Sequence, residues 1–374
     1  MSAGEAARRA GESRIRRVSL RSVPCPLKPA FGRVGAASVR VSPRHPSVRR
    51  GGWPILLVLL MVGTGITGSA SQTAKPAKIA ILTTAMSPWH TETEGFRDGL
   101  RDFGYSEDKS NVTFVVRAAG GDPVRAQGLA EDLAQEKPDL LYCVSSTAAR
   151  ACHRATASIP IVAVSIGDPV ELGLAKSLAH PGTNVTGISN LRSELSAKRL
   201  ELFKEMIPSL RRVLVTYDPR ELDDRGAVSV AKAAASRLDL QVIENPIGDP
   251  LQIEPGLADL EQGGADGILI VQSGTSLNIP GRSLEVATSN GIPTMYPHAF
   301  WPKFGALASF GPDQYDQGRQ AARLAHRILT GTPVESLPIE LPERVEFVIN
   351  LKTAEKLRLQ LSPSVLLRAD RVLQ

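Results

Sequence analysis

The sequence predicts an α/β fold, with two doubly wound parallel-sheet lobes and a ligand cleft between them. Apolar runs without strict alternation recur between residues 78 and 351, as expected of parallel strands buried on both faces. Segments with apolar residues at helical spacing separate those runs. The strand–helix alternation completes one set and restarts near residue 191, which asks for two sheets rather than one.

Taken in order, Lys78–Thr83 (KIAILT) opens as a strand. A helix follows with Phe96, Leu100 and Phe103 on one face and Gly104 as its stop. Asn111–Arg117 is the second strand. Asp122 and Pro123 then supply an N-cap and a first-turn proline. Ala126, Leu129, Ala130, Leu133 and Ala134 form the apolar stripe behind them. Strands at Asp139–Val144, Pro160–Ser165 and Asn184–Ser189, a helix from about Thr147 and a short helix over Glu171–Leu178 complete the first set.

The second set begins with a helix lined by Leu191, Leu195, Leu202 and Met206, ending near Pro208. Strands follow at Arg212–Tyr217, Gln241–Asn245, Gly267–Gln272 and Pro293–Tyr296. Helices are expected around Ala227–Leu238, Pro255–Gln262 and Leu284–Asn290. Next come a strand at Ala306–Phe310, a helix with Gly318, Ala321, Ala322, Ala325, Ile328 and Leu329 on one face, and a segment Val345–Leu351 leading into two short helices.

Charge excludes one class of partner. The chain has 374 residues and a formal charge of +6, but residues 1–50 hold 12 Lys/Arg against 2 Asp/Glu. Residues 51–374 hold 32 against 36, so the folded part is mildly acidic and no nucleic-acid partner is expected. The uncharged run from Trp53 to Ile66 follows Arg49 and Arg50 and precedes Gly68-Ser69-Ala70, the layout of a secretory signal peptide. Residues 1–71 therefore read as an N-terminal extension and signal peptide, and the mature chain as periplasmic or otherwise exported. Translation is expected to start near Val48. A retained anchor over 53–66 is the alternative, but a spanning helix needs roughly 20 residues. Of three cysteines, Cys143 and Cys152 fall in one strand–helix unit, open to either two buried thiols or a disulfide.

In an open α/β sheet, ligands bind beyond the carboxyl ends of the strands. Those loops hold Thr83-Thr84, Ser145-Ser146-Thr147 and Asp168 in the first set, and Tyr217-Asp218, Gln272-Ser273 and Tyr296 with His298 in the second. Backbone N–H groups at the Ser145–Thr147 helix start can take a carboxylate. Asp168 can meet an ammonium, and Tyr217, Tyr296 and Phe300 can cover an apolar side chain. Each also has a plain structural reading: Ser, Thr and Asp cap helices, and the tyrosines fill cores. Glu92-Thr93-Glu94 reads as solvated first-turn charge. No GxGxxG follows the first strand, and GxxxxGK[ST], GxSxG and HxxxH patterns are missing, so no catalytic residue, metal ligand or cofactor is expected.

Several segments resemble the ABC-transporter substrate-binding proteins of the tryptophan/tyrosine-uptake type. They are Lys78–Leu82, Phe96–Tyr105 (FRDGLRDFGY), Ile159–Asn190 (with GDPV and HPGTNVTG), Leu195–Pro208 (LSAKRLELFKEMIP) and Val345–Leu373. The likeness covers about residues 77–374. It implies a type I periplasmic-binding-protein fold whose lobes are joined near residues 190, 305 and 340. The first lobe then comprises 77–190 plus about 306–340, and the second 191–305 plus about 341–374. It implies a monomer that delivers a small solute, such as an aromatic amino acid, to an ABC permease in the membrane. By that pattern Ser145, Ser146, Thr147, Asp168, Asn184 and Thr186 sit on the first-lobe side of the cleft, facing Tyr217, Gln272, Ser273 and Tyr296, and Thr84 joins the candidates from its place beyond the first strand. Phe310 stands where the family often has a tyrosine, and the Thr83–Trp89 loop follows no family pattern, which makes it a place to set ligand identity. The competing classes are an exported sensor subunit with the same cleft and an exported α/β enzyme.

Overall fold

The computed structural model describes residues 75–87, 90–248, 264–272 and 282–374. The signal-peptide segment, the helix expected near 255–262 and Ser273 lie outside these residues. The first lobe contains β1 (Ala77–Thr83), α1 (Thr91–Asp102), β2 (Val112–Ala118), α2 (Pro123–Gln135), β3 (Leu140–Val144), α3 (Ser146–Ala155), β4 (Ile161–Ile166) and β5 (Val185–Ser189). The second contains α4 (Arg192–Met206), β6 (Arg212–Tyr217), α5 (Leu222–Arg237), β7 (Gln241–Pro246), β8 (Gly267–Ile270), α6 (Arg282–Ser289), β9 (Thr294–Tyr296) and β10 (Ala308–Pro312). The chain then returns to the first lobe with α7 (Gln314–Leu329) and β11 (Ile339–Glu340). It ends in the second with β12 (Val345–Asn350), α8 (Leu351–Lys356), α9 (Pro363–Arg368) and β13 (Arg371–Leu373).

The two sheets repeat one topology. The first runs β11-β5-β4-β3-β1-β2, the second β13-β12-β10-β9-β8-β6-β7. In each, the first strand of the set lies between the second and the third. The strand order therefore reverses at β1/β3 and at β6/β8, where a crevice opens beyond the carboxyl ends.

Both faces of each sheet are apolar, as the unbroken strand runs require. In β1, Ile79 and Ile81 pack with Phe96, Leu100 and Leu324 on one face, while Ala80 and Leu82 pack with Leu133, Ala148 and Cys152 on the other. Burying each large aliphatic or aromatic side chain contributes roughly 1.5–3 kcal/mol. The Cys143 and Cys152 sulfurs lie 2.6 Å apart in this second layer, both fully buried as thiols. Asp122 caps α2 as predicted, accepting from the Val124 and Arg125 amides.

Three features depart from the sequence reading. No helix forms over Glu171–Leu178: Asp168 and Pro169 start a single turn, and Gly173 at φ +70° closes it. β10 pairs with β9 and β12, so the chain re-enters the first lobe at Asp313 rather than near 305. β12 runs antiparallel to β10 because it enters the second sheet on the chain's way back from the first lobe. No helix among the described residues is long and apolar enough to cross a membrane.

Candidate functional site

The carboxyl ends of β1, β3 and β4 form one wall of the site. Thr84 is buried beyond β1 and donates to Ser145 Oγ at 3.0 Å, bridging the switch point. Ser145 caps α3 through the Ala148 amide, with its backbone at φ 104°, ψ 159°. That region is nearly glycine-only, and strain there is typical of functional sites.

Ser146 and Thr147, the next two residues, do not face an open cleft. Ser146 Oγ donates to Asp223 Oδ2 and Thr147 Oγ1 to Glu221 Oε1, each at 2.5 Å. Both acceptors belong to the start of α5 in the other lobe. The helix start expected to take a ligand carboxylate thus holds carboxylates of the protein itself. The positive ends of α3 and α5 together favour negative charge there. Arg192 closes the cluster, reaching Asp223 at 3.0 Å and Asp224 at 2.5 Å. Burial first, then neighbouring carboxylates, push the Glu221 carboxyl above its ordinary range. Burial pushes the Asp224 carboxyl well up despite Arg192.

Glu92 is a hub, not a solvated charge. It is 1% exposed and takes Gln314 Nε2 at 2.6 Å, Ser165 Oγ at 3.2 Å and His90 Nδ1 at 3.0 Å. Burial acts to raise its pKa, but the His90 hydrogen bond and charge outweigh it, so the carboxyl lies below the ordinary value. Glycine puts it there. A Cβ on Gly318 of α7 would stand 2.1 Å from the Glu92 carbonyl, and one on Gly95 of α1 2.1 Å from the Tyr315 carbonyl. Only glycines let α1 and α7 meet backbone to backbone.

Both lobes carry buried side-chain polar atoms with no partner among the described residues. From the first lobe come both side-chain polar atoms of Asn190 and Gln317 Nε2. From the second come Arg199 Nη2, Gln272 Oε1, both ring nitrogens of His298, Ser309 Oγ and Asp223 Oδ1. Each such group costs roughly 1–3 kcal/mol if left unsatisfied, and folded proteins carry few. Asn190, Gln272 and His298 among them follow the carboxyl ends of β5, β8 and β9, the ends at which an open α/β sheet receives a ligand. Burial, and then repulsion from Arg199 and Arg192 against the pull of Glu92, lowers the His298 pKa to about 3. The ring is therefore neutral at pH 7. Alongside is a pocket of about 620 Å³ lined by Ala85, Met86, His90 and Glu92 of the first lobe and by Phe300 and Phe304 of the second, among others. That is an ordinary size for a small-molecule site.

The other sequence-predicted positions are placed as follows. Asp168 is exposed and caps the Val170 and Glu171 amides. Asn184 precedes β5, at the end away from the crevice, and holds the Thr156 and Ile159 carbonyls and His153. Thr186 donates to the Pro338 carbonyl and so fastens β5 to the segment leading into β11. Tyr217 is half-buried with its hydroxyl on Glu244, and Tyr296 is buried against Trp301. Of the eleven expected positions, Thr84 and Ser145 join one wall, Ser146 and Thr147 bridge the lobes, and Gln272 belongs to the buried polar set.

The family model of ABC transporter substrate binding proteins matches residues 78–373. The chain belongs to that family. It is 31% identical over 267 residues to a tyrosine-binding protein of Clostridioides difficile, covering 71% of this chain and 76% of the relative. Among solved structures, a Vibrio cholerae conserved domain protein matches with a TM-score of 0.75 at 29% identity. A Streptococcus pneumoniae ABC domain in complex with L-Trp matches with a TM-score of 0.74 at 25% identity. Each covers 80% of this chain and 100% of its own. A ligand-free, open substrate-binding protein of Clostridium difficile matches with a TM-score of 0.57 at 27% identity, over 80% of this chain and 99% of its own. The family is one of binding proteins, not enzymes.

Proposed function

We propose that this protein, exported from the cytoplasm, captures an aromatic amino acid between its lobes and delivers it, as a monomer, to an ABC permease. The observation that carries the reading is the set of buried side-chain polar atoms, from both lobes, without a partner among the described residues, together with a pocket lined by residues of both lobes whose Phe300 stacks on His298. The tyrosine- and L-Trp-binding relatives point the same way. So does the backbone arrangement, which is nearer to the L-Trp complex than to the open, ligand-free protein at similar identity. The uncharged run at residues 53–66 supports export.

In this reading Met86, Phe300 and Phe304 cover the ring, while Thr84, Asn190, Gln272, His298 and Ser309 meet the polar atoms. Asp223 Oδ1 takes the ammonium, the role that sequence assigned to Asp168. The interlobe bonds of Ser146 and Thr147 close the lobes, and the solute adds contacts that exist only in that closed state. A thermal-shift screen against the twenty amino acids tests this, because a solute that binds only the folded form raises the midpoint. Tyr, Trp or Phe is expected to give the largest rise. No rise with any of the three contradicts the aromatic assignment.

A further inference from the structure

Arg199 lies on α4, fully buried, with no acidic partner among the described residues. Its Nε donates to the Phe310 carbonyl at 2.6 Å and its Nη1 to Ser196 Oγ at 3.3 Å, while Nη2 has no partner among the described residues. The nearby acids make their ion pairs with groups other than Arg199. Asp223 and Asp224 hold Arg192, Glu92 holds His90, and Glu346 is flanked by Arg344 and Arg371. Buried arginines are normally paired, since an isolated charge is costly to remove from water. Burial, and then the charge of Arg192, lower the Arg199 pKa to about 9, so the guanidinium stays charged at pH 7.

Its position adds a second observation. The Phe310 carbonyl that Arg199 holds belongs to β10, the neighbour of β9, and His298 follows β9 by two residues. His298 is 1% exposed and both of its ring nitrogens are without a partner among the described residues. A neutral imidazole offers one N–H donor and one acceptor. Beside the carboxyl end of β9 there is therefore a fixed cation and a neutral ring, neither matched by a group among the described residues.

We infer that Arg199 is the carboxylate-receiving group of the interlobe site, seating an acidic head of the solute against Nη2 beside His298. The protein then selects acids over amines, amides and alcohols of the same shape. The inference rests on the interlobe site being the solute site, but not on the solute being an amino acid. A role confined to holding the Phe310 carbonyl would leave that selectivity untouched.

The test compares the full-length wild type with Arg199→Met and Arg199→Lys. Binding of L-phenylalanine, 3-phenylpropionate, L-phenylalaninamide and phenethylamine is measured by calorimetry, and folding by circular dichroism. The wild type is expected to favour the acids by about 100-fold, as for a desolvated charge pair. Arg199→Met is expected to erase that preference, and Arg199→Lys to keep part of it. Amide or amine binding as tight as the acids in wild type overturns the inference, and so does an undiminished preference in folded Arg199→Met. If L-phenylalanine fails to bind while 3-phenylpropionate binds through Arg199, the amino-acid reading falls and the inference stands. If no aromatic probe binds, acetate decides. A midpoint rise in wild type that is lost in Arg199→Met upholds the inference, and no rise in wild type overturns it.

Discussion

His298 shows how a single buried side chain contributes to the pH response of the fold. Its pKa falls from 6.5 to about 3 on folding, chiefly through burial. Between those values the unfolded chain binds a proton that the folded chain refuses, so stability falls as pH drops from 6.5 towards 3. One proton corresponds to a slope of about 1.4 kcal/mol per pH unit. His298→Gln should flatten the acid limb by up to that slope, as read from urea unfolding at a series of pH values. An unchanged limb would show that the ring is solvated. Glu92 and Arg199 show what sequence reading missed and why. Arg199 occupies the apolar stripe of Leu195, Leu202 and Met206, and Glu92 stands one turn before Phe96 on the stripe of Phe96 and Leu100. A charge on an apolar stripe was the available signal. By contrast, Asp168 and Asn184 matched ligand chemistry but lie where local capping and strand anchoring use them.

Among the elements, two contacts position the site. The first is the bridge between the starts of α3 and α5. Because Ser146 and Asp223 belong to different lobes, their bond exists only when the lobes are together. Ser146→Ala should weaken ligand binding about tenfold or more by favouring the open state, given 1.5–3 kcal/mol for a hydrogen bond to a charged group. Calorimetry reads the affinity, and small-angle scattering should show a larger radius of gyration. Unchanged affinity would remove the bridge from the closing mechanism. The second contact is between α1 and α7. Gly318→Ala forces a Cβ against the Glu92 carbonyl and should cost about 1–3 kcal/mol. Gly128→Ala, in α2 with nothing within 4 Å, should stabilise by up to about 1 kcal/mol. Equal effects in chemical denaturation would contradict the close approach. The strands and most helices were legible because their periodicity is local. The α1–α7 approach was not, since no local pattern tells which distant helix a glycine will meet.

For the whole molecule, the sequence pattern was enough for two lobes of repeated topology and for a family resemblance that the family match bears out. The second crossing point and the antiparallel β12 were not legible, because a strand's sheet membership depends on where the chain goes next. The central claim is that the solute sits among the buried polar groups of both lobes. It is tested most directly by calorimetric titration of Tyr, Trp and Phe into the wild type, Gln272→Ala and His298→Ala. The account predicts one site per chain for at least one of the three, weakened at least tenfold in both variants. Tight binding unaffected by either substitution would place the solute elsewhere and contradict it.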